Sequence, residues 1–449
     1  MTIELIRRFT APVPRYTSYP TAPHFHAGVD AGTYAGWLAA IGAEDTLSLY
    51  IHVPFCDRLC WFCGCHTKQT LRYEPVAAYC RALEAEIATV SRHLGGRGRV
   101  VALHFGGGSP TMLRPDDIAR LGEALHEGFR FAPDAEISLE IDPSDMDAPR
   151  LDAWADFGVT RASFGVQDFD ARVQAAINRE QSFGQTRDAV EGFRARGVSS
   201  INLDVLYGLP HQTEASLSAT IAQVVALAPS RVALFGYAHV PWMKPHQRLI
   251  PDDALPDSEA RFHQAGLSAR LLVEAGFTAI GMDHFAHPDD PLARAAAAGN
   301  LHRNFQGYTT DEADALIGLG ASSIGRLPQG YIQNTVPTGE YSRSVLQGEL
   351  PVARGFALGE EDRALAQVIE SLMCDFAFDL EEIAARFPEQ AARVADLAAR
   401  ASTGECASLV TWDGQRFTIH APARPLVRTV AACFDAYLGQ GPGRHSAAV

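Results

Sequence analysis

The chain reads as an α/β protein: a full or partial (β/α) barrel, preceded by an N-terminal arm and followed by a small, mostly helical, winged-helix-like domain. Three observations predict this. Strand-like runs over 47–53, 100–105, 135–141, 161–166, 201–206, 231–238 and 277–281 alternate with helical patterns over 76–93, 115–129, 148–157, 182–196, 214–226 and 257–275, and such alternation makes parallel βαβ units. Gly158, Gly197 and Gly276 stand just past helices, and Ser182 is placed to cap one. Finally, polar residues occupy every second position of several strands, with aliphatic residues between them.

In chain order, residues 1–35 form an arm over the site. Its prolines at 12, 14, 20 and 23 favour extended backbone over helix. Such an arm is a loosely packed terminus or a lid, and Arg15, Tyr16 and Tyr19 are its residues able to touch a ligand. The barrel core spans 36–300. Residues 301–354 read as connecting loops at the barrel mouth. The C-terminal domain, 355–440, should hold helices over 361–376 and 380–400, a hairpin turning at Asp413-Gly414 between strands 409–411 and 417–419, and a last helix ending at 438. Residues 441–449 read as a flexible tail.

Composition narrows the function. A chain of 449 residues, 47% hydrophobic, is long enough for a large domain and a smaller one. The formal charge of −15 argues against broad binding to nucleic acid or anionic membrane, so an anionic ligand must meet local cations. Arg and Lys are not concentrated in the winged-helix-like part, which favours a structural cap over a nucleic-acid module. Eight cysteines, four of them clustered, do not make a disulfide framework and fit a reducing cytoplasm. The start lacks an apolar signal region, and no long apolar run occurs, so a cytoplasmic protein without membrane contact is expected.

The chemistry centres on 50–68, YIHVPFCDRLCWFCGCHTK. Cys56, Cys60 and Cys63 stand as C-x3-C-x2-C directly after a strand, and Cys65 follows. Soft thiolates on so short a loop suit an iron-sulfur cluster or zinc. Three thiolates on a four-iron cluster leave one iron open, which argues for catalysis. A zinc site completed by His66 is the competing reading, although the second distant pair usual for structural zinc is missing.

The strand alternation places Tyr50, Glu140, Gln167 and Asp204 along a polar inner face, lining either a ligand cavity or a self-paired, water-filled interior. The run Gly106-Gly107-Gly108-Ser109-Pro110-Thr111 follows the second strand, where barrel sites sit, and its amides and carbonyls are able to meet an amino acid's charged groups. No Walker lysine or dinucleotide fingerprint accompanies it.

These motifs resemble the radical S-adenosylmethionine superfamily. Within it, RYTSYPTA, CDRLCWFCGCHTK, FGGGSPT, FGVQDF, NLDVLYGLPHQT, GMDHFA and LHRNFQGYTT closely resemble the oxygen-independent coproporphyrinogen III oxidase family. Ser109 stands where that family often has threonine, and the hydroxyl is kept. The resemblance implies a partial-barrel core and a 4Fe-4S cluster on Cys56, Cys60 and Cys63, with Cys65 outside the ligand set. It also implies two bound molecules of S-adenosylmethionine. One, on the cluster, would meet Tyr50, Gly107, Glu140 and Ile324. The second would meet Phe62, Gly108, Ser109, Gln167, Arg179, Asp204 and Ala238.

The implied reaction converts two propionates of coproporphyrinogen III to vinyl groups, giving protoporphyrinogen IX in haem biosynthesis. It needs a low-potential electron donor such as a flavodoxin or ferredoxin, and a monomer is expected. A haem-binding chaperone paralogue or an anaerobic haem-degrading radical enzyme would share much of the core; the CGC ending of the thiol loop and the RYTSYPTA arm favour the oxidase. A substrate bearing four carboxylates needs cations at the barrel mouth, and Arg15, Lys68, His302 and Arg303 lie in motifs expected there.

Overall fold

The computed structural model describes residue 9 and residues 12–440; the expected tail at 441–449 lies outside the described residues. Six parallel strands in chain order make the core: β1 (Thr46–Val53), β2 (Arg99–Gly107), β3 (Phe131–Ile141), β4 (Arg161–Gln167), β5 (Ser200–Tyr207) and β6 (Arg231–Gly236). Helices Glu74–Leu94, Pro115–Gly128, Ala148–Phe157, Phe183–Arg194 and Glu214–Ala226 connect them. Ser182 caps its helix reciprocally with Gln185, as its position predicts.

The aliphatic set alternates as expected. Leu47, Leu49, Ile51 and Val53 of β1 are all at most 1% exposed and join one core with Leu103, Phe105, Leu139, Phe164, Leu203 and Val232. Burial of each such side chain stabilises the fold by about 1.5–3 kcal/mol. Period two then commits Ser48, Tyr50 and His52 to the other face.

Three expectations need correcting. Residues 301–354 are not connecting loops. Ala315–Leu319, here β7, pairs parallel to β1 and extends the sheet, and Ile324–Leu327, Gly330–Asn334 and Val352–Ala357 continue it antiparallel. Short Gly-interrupted runs such as ALIGL and SIGRL hide their strand character until a neighbour pairs with them, β1 with the first and β7 with the second. The run at 277–281 is not a further parallel barrel strand: Thr278–Ile280 is an edge strand antiparallel to His284–Ala286, which is itself antiparallel to β6. A three-residue connection reverses the chain there, too short for a crossover. The last helix is three short helical turns, Ala421–Leu426, Val427–Ala431 and Ala432–Phe434, because Pro422 and Pro425 remove backbone donors.

Helix Ala31–Ala39, capped by Asp30, escaped the sequence reading, and the helix expected over 380–400 is broken at Pro388. The C-terminal domain is otherwise helix, hairpin and wing: Ala377–Asp379 joins the hairpin of Val410–Trp412 and Arg416–Ile419 as a third strand. Its core of Phe378, Phe417 and Phe434 also takes in Phe9, Tyr16 and Tyr19 of the arm. The arm is therefore packed, not loose. The Tyr16 hydroxyl donates to Asp435 (3.0 Å), and Tyr19 accepts from the Ala436 N–H (2.9 Å).

A buried carboxylate ties the added strands to the barrel. Glu86, 1% exposed, accepts from the Gly320 N–H (2.6 Å), Asn334 Nδ2 (2.6 Å) and the Tyr341 hydroxyl (2.5 Å). Burial pushes its pKa from 4.5 up to about 7, with those three hydrogen bonds opposing. A raised acid holds more protons folded than unfolded, so stability from this group is full below about pH 4.5 and is lost as pH rises through about 7. Glu86→Ala removes the acceptor of the Gly320 N–H and the Tyr341 hydroxyl, while Asn334 Nδ2 keeps Gly320 O and Ser323 Oγ, and is expected to cost about 2 kcal/mol or more in denaturant unfolding. It should also remove this group's decline in stability between those pH values; an unchanged pH slope would assign the decline elsewhere.

Candidate functional site

Cys56, Cys60 and Cys63 lie on the turn leaving β1, where Phe55–Cys56 pairs with Lys68–Gln69. This loop is held chiefly by its backbone. On one side the Trp61 N–H donates to Ile177 O (2.9 Å), Asn178 Nδ2 to Leu59 O (2.9 Å) and Arg58 Nη1 to Glu180 O (3.0 Å). On the other, Gln247 Nε2 donates to Phe62 O (2.9 Å), His246 Nε2 to Cys63 O (2.8 Å) and Lys244 Nζ to Cys65 O (2.8 Å). Gln247 is fully buried and also reaches Ala238 O (3.2 Å), so it joins two residues the sequence named separately.

The three sulfurs have distinct surroundings. Burial pushes the Cys56 thiol up to about 12, against a hydrogen bond with Thr67. Burial also raises Cys60, opposed by Arg179, whose Nη1 lies 3.6 Å from its sulfur. Cys63 is held below the ordinary thiol value, first by hydrogen bonding from Cys65 and then by the charges of Lys244 and Arg179. Cys65 thus serves Cys63 through its own N–H (3.4 Å). Among the described residues, no three His, Cys, Asp or Glu side chains converge as a single metal ion requires.

Behind the loop stands the polar face. His52 Nε2 meets the His66 carbonyl (2.9 Å), which fixes its proton there, so Nδ1 accepts from the Tyr50 hydroxyl (3.0 Å). Burial lowers His52 to about 4 and keeps it neutral. Tyr50 consequently retains acceptor capacity for a ligand donor. Glu140 accepts from the Gly107 N–H (3.0 Å) and meets His104 Nε2 (3.1 Å), while 40% of its side chain remains open. Burial works against its charge, yet His104 and the Gly107 N–H hold it below the ordinary carboxylate value. Ile324 backs onto Gly318, the register partner of Tyr50.

The N–H groups of the glycine run are committed within the protein: that of Gly107 donates to Glu140, and those of Gly108 and Ser109 donate to Val53 O and Phe55 O, extending the pairing of β2 with the chain leaving β1. The glycines provide close approach instead. A Cβ on Gly107, at φ +111°, would lie 2.5 Å from His52, and one on Gly106 would lie 2.8 Å from the Glu140 carboxylate.

The remaining named residues gather beyond β4. Arg179 Nη1 pairs with Asp142 (3.0 Å) and Nη2 donates to Gly165 O (2.8 Å). A Cβ on Gly165 would touch both Arg179 and Gln167, whose own backbone is left-handed at φ +65°. Ser109 Oγ donates to Asp145. Asp204 accepts from Asn202 Nδ2 (2.8 Å), and burial, then Glu140, push it up to about 6.

The four cation candidates divide. Arg15 and Arg303 come together, Arg303 Nη2 donating to Arg15 O (3.5 Å). His302 borders the same pocket with Tyr16, Tyr19, Arg326 and Glu370, but it is committed to Glu370 (3.2 Å), whose hydrogen bond raises its pKa. Lys68 is exposed on the strand beside Phe55.

Residues 50–224 match the Radical SAM superfamily. The chain is 49% identical over 437 residues, 97% of each chain, to the oxygen-independent coproporphyrinogen III oxidase of Bradyrhizobium diazoefficiens. It is 46% identical to that of Paracoccus denitrificans, covering 100% of this chain and 99% of the relative. The chain belongs to the oxygen-independent coproporphyrinogen III oxidase family. A solved structure, the coproporphyrinogen III oxidase of Escherichia coli described as a Radical SAM enzyme, superposes with a TM-score of 0.91 at 37% identity over 97% of this chain and 99% of that one.

A radical S-adenosylmethionine family implies a 4Fe-4S cluster and S-adenosylmethionine, and the donor set here fits: three thiols on one clamped loop, cations beside two of them, and an ionised carboxylate in the adjoining cavity. Sequence reading missed the 244–247 clamp, since Lys-Pro-His-Gln carries no motif and reads as a turn. Gln247→Leu removes both bonds to Phe62 O and Ala238 O. Iron should then pass to a competing chelator about tenfold faster than from the wild type, the scale on which supporting partners act. An unchanged rate would show that the clamp is dispensable.

Proposed function

We propose that the protein oxidatively decarboxylates two propionate side chains of coproporphyrinogen III to vinyl groups, without oxygen. The observation that carries this reading is the meeting, in one barrel, of the three-thiol loop, the open carboxylate of Glu140 and, further along the cavity, Arg15 and Arg303. In this reading Cys56, Cys60 and Cys63 hold the cluster, and Cys65 tunes Cys63 from outside the ligand set. When bound, the cluster supplies an electron that cleaves S-adenosylmethionine to methionine and a 5'-deoxyadenosyl radical able to take a hydrogen atom from an unactivated carbon.

The chain's own residues bind, orient and exclude water. Glu140, ionised at neutral pH, suits the ammonium or hydroxyls of one S-adenosylmethionine, and the Tyr50 hydroxyl accepts from it beside Ile324 and Gly107. A second molecule would lie against Phe62, Gly108, Ser109, Gln167, Arg179, Asp204 and Ala238; in support, Gln247 bridges Phe62 O and Ala238 O, and Arg179 and Gln167 both lie against Gly165. Arg15 and Arg303 would meet a propionate, and the barrel with its packed arm would limit water at the reacting carbon. No helix among the described residues is long and apolar enough to cross a membrane. The working setting is a monomer in a reducing cytoplasm, supplied by a low-potential carrier such as a flavodoxin or ferredoxin.

Anaerobic incubation with coproporphyrinogen III, S-adenosylmethionine and a reductant should give the divinyl product; haem binding without turnover, or macrocycle opening, would replace this reading. Anaerobic protein should carry about four irons and four sulfides per chain. Cys56→Ala, Cys60→Ala and Cys63→Ala should each lose them, while Cys65→Ala keeps them. Glu140→Ala should keep the iron but bind S-adenosylmethionine about tenfold more weakly; unaltered affinity would remove Glu140 from the ligand site.

A further inference from the structure

Two segments border the thiol loop and leave side chains in water. Residues 68–72 run directly after it and are bonded back to it: the Lys68 N–H donates to Pro54 O (2.8 Å), the Thr70 N–H to Cys56 O (2.9 Å) and Gln69 Nε2 to Asp57 O (3.1 Å). Residues 240–250 come from beyond β6 and reach it through Lys244, His246 and Gln247. Their turn is fixed, since the N–H groups of Met243 and Lys244 both donate to Val240 O (2.9 and 3.0 Å) and that of Val240 donates to Gln247 Oε1 (2.6 Å). Seven large apolar side chains are exposed among the described residues, and four of them stand on these two segments: Leu71 (86%), Trp242 (46%), Met243 (61%) and Leu249 (56%). One exposed apolar side chain is ordinary, but a concentration of them beside one loop marks a surface that meets a partner.

Charge is distributed the same way. Of the 38 Lys and Arg residues only Lys68 and Lys244 are lysine, and one lies on each segment. Arg72 and Arg248, both exposed, accompany them. The chain has 53 Asp and Glu, yet none falls within 58–73 or 237–251. Of the carboxylates next in sequence, Asp57 pairs with Arg58 (3.5 Å) and Asp252 with His239 (3.1 Å), while Glu74 opens the helix Glu74–Leu94. A chain of formal charge −15 therefore turns a locally cationic, partly apolar surface outward around its thiols. Lysine suits such a surface when the contact must form and break, because it is a hydrated point charge on a flexible stem and needs no fixed fork geometry.

We infer that the surface made by 68–72 and 242–249 around the thiol loop docks an acidic protein that carries a single low-potential electron. The inference rests on the cluster proposed above and locates the partner of that site. Lys244 and His246 hold the carbonyls of Cys65 and Cys63, so a protein seated on this segment is separated from the thiol-bearing residues by single hydrogen bonds. The step asked of the complex is one electron out of the carrier and into the group the thiols hold, with no atom transferred. An acidic partner is repelled by the chain's overall charge and attracted here, so charge orients it before contact, and the apolar side chains then supply a small dry interface. Complexes that pass electrons bury little area, which two short segments suit. Nucleic acid or an anionic membrane would need a longer basic face than these cations provide.

The test uses the anaerobic holoenzyme with two purified carriers, an acidic flavodoxin and an acidic ferredoxin, and dithionite as a small reductant that needs no docking. Binding is read by calorimetry, and reduction by the loss of the oxidised cluster's visible absorbance. The wild type should bind at least one carrier with an affinity that falls as salt rises. Trp242→Ala, and Arg72→Glu combined with Arg248→Glu, should each weaken that binding about tenfold and slow carrier-driven reduction to match, the scale on which a truncated aromatic anchor or reversed charges act. Iron content and dithionite-driven reduction should stay at the wild-type level, and Arg400→Glu, on the C-terminal helix Ala391–Thr403, should change nothing. Unchanged binding in either variant, equal weakening by Arg400→Glu, or a wild type that dithionite reduces but neither carrier binds overturns the docking surface and leaves the proposed reaction standing. Losses shared by dithionite and the carriers would mean that the substitutions disturb the loop itself, which also overturns it. Carrier binding that both variants lose, in protein that holds its iron but forms no divinyl product, supports the surface and overturns the proposed reaction.

Discussion

Everything at the site depends on keeping a loop of thiols rigid without burying it in a core. Sulfurs that must ionise and stay reachable cannot be packed among aliphatic side chains, where burial alone lifts Cys56 to about 12. Backbone hydrogen bonds carry the load instead. Leu59, Phe62, Cys63 and Cys65 each give a carbonyl to a side chain from the far walls of the barrel, and Trp61 gives its N–H. At a net contribution near 1 kcal/mol each, these bonds together are worth several kcal/mol. They also constrain the barrel: the strand ends at Gln167 and Gly236 must stand where 177–180 and 244–247 can reach the loop from both sides.

The inner face follows from the same need for a wet, charged interior inside a dry fold. Its polar groups are largely satisfied by one another: Tyr50 with His52, Glu140 with His104 and Gly107, Asp204 with Asn202. Folding therefore does not wait for a ligand. Two carboxylates nevertheless share the cavity, and their surroundings separate them. Hydrogen bonds keep Glu140 ionised below its ordinary value, and its charge, added to burial, moves Asp204 up to about 6. At neutral pH the cavity thus presents one firmly anionic group and a second that readily shares a proton.

How much of this could be read from residues depended on period and on length. The alternation of Ser48, Tyr50 and His52 with Leu47, Leu49 and Ile51 fixes which way β1 faces, and the same rule set Glu140 and Asp204 on one side. Long helices with caps were equally legible. The strands after residue 314 were not, because they are short, broken by glycine, and depend on pairing, β7 with β1 and each later strand with the one before it. The partners of the glycine run's N–H groups were hidden for a related reason: a run without side chains does not reveal whether its N–H groups meet the protein or a ligand. Gln247, Arg261 and Arg428 carry no local signal; only the folded chain brings them to carbonyls 185, 24 and 414 positions distant.

The distribution of contacts around the arm also says how the site can open. Phe9, Tyr16 and Tyr19 are buried in the C-terminal core, at about 1.5–3 kcal/mol apiece, and Asp435, Ala436 and Arg428 add hydrogen bonds. Against the barrel side, residues 13–15 make the bond from Arg15 to Gly236 O and the long one from Arg303 to Arg15 O, each worth about 1 kcal/mol net. Residue 9 and residues 12–19 of the arm are therefore held mainly by the C-terminal domain, whereas residues 25–34 are fixed to the barrel, where His26 and Gly355 exchange backbone hydrogen bonds (2.9 and 3.0 Å) and Val29 and Tyr34 join the barrel core. Any separation that admits a macrocycle costs least where residues 13–15 meet the barrel, with the His26–Gly355 pairing left as the fixed end of the arm.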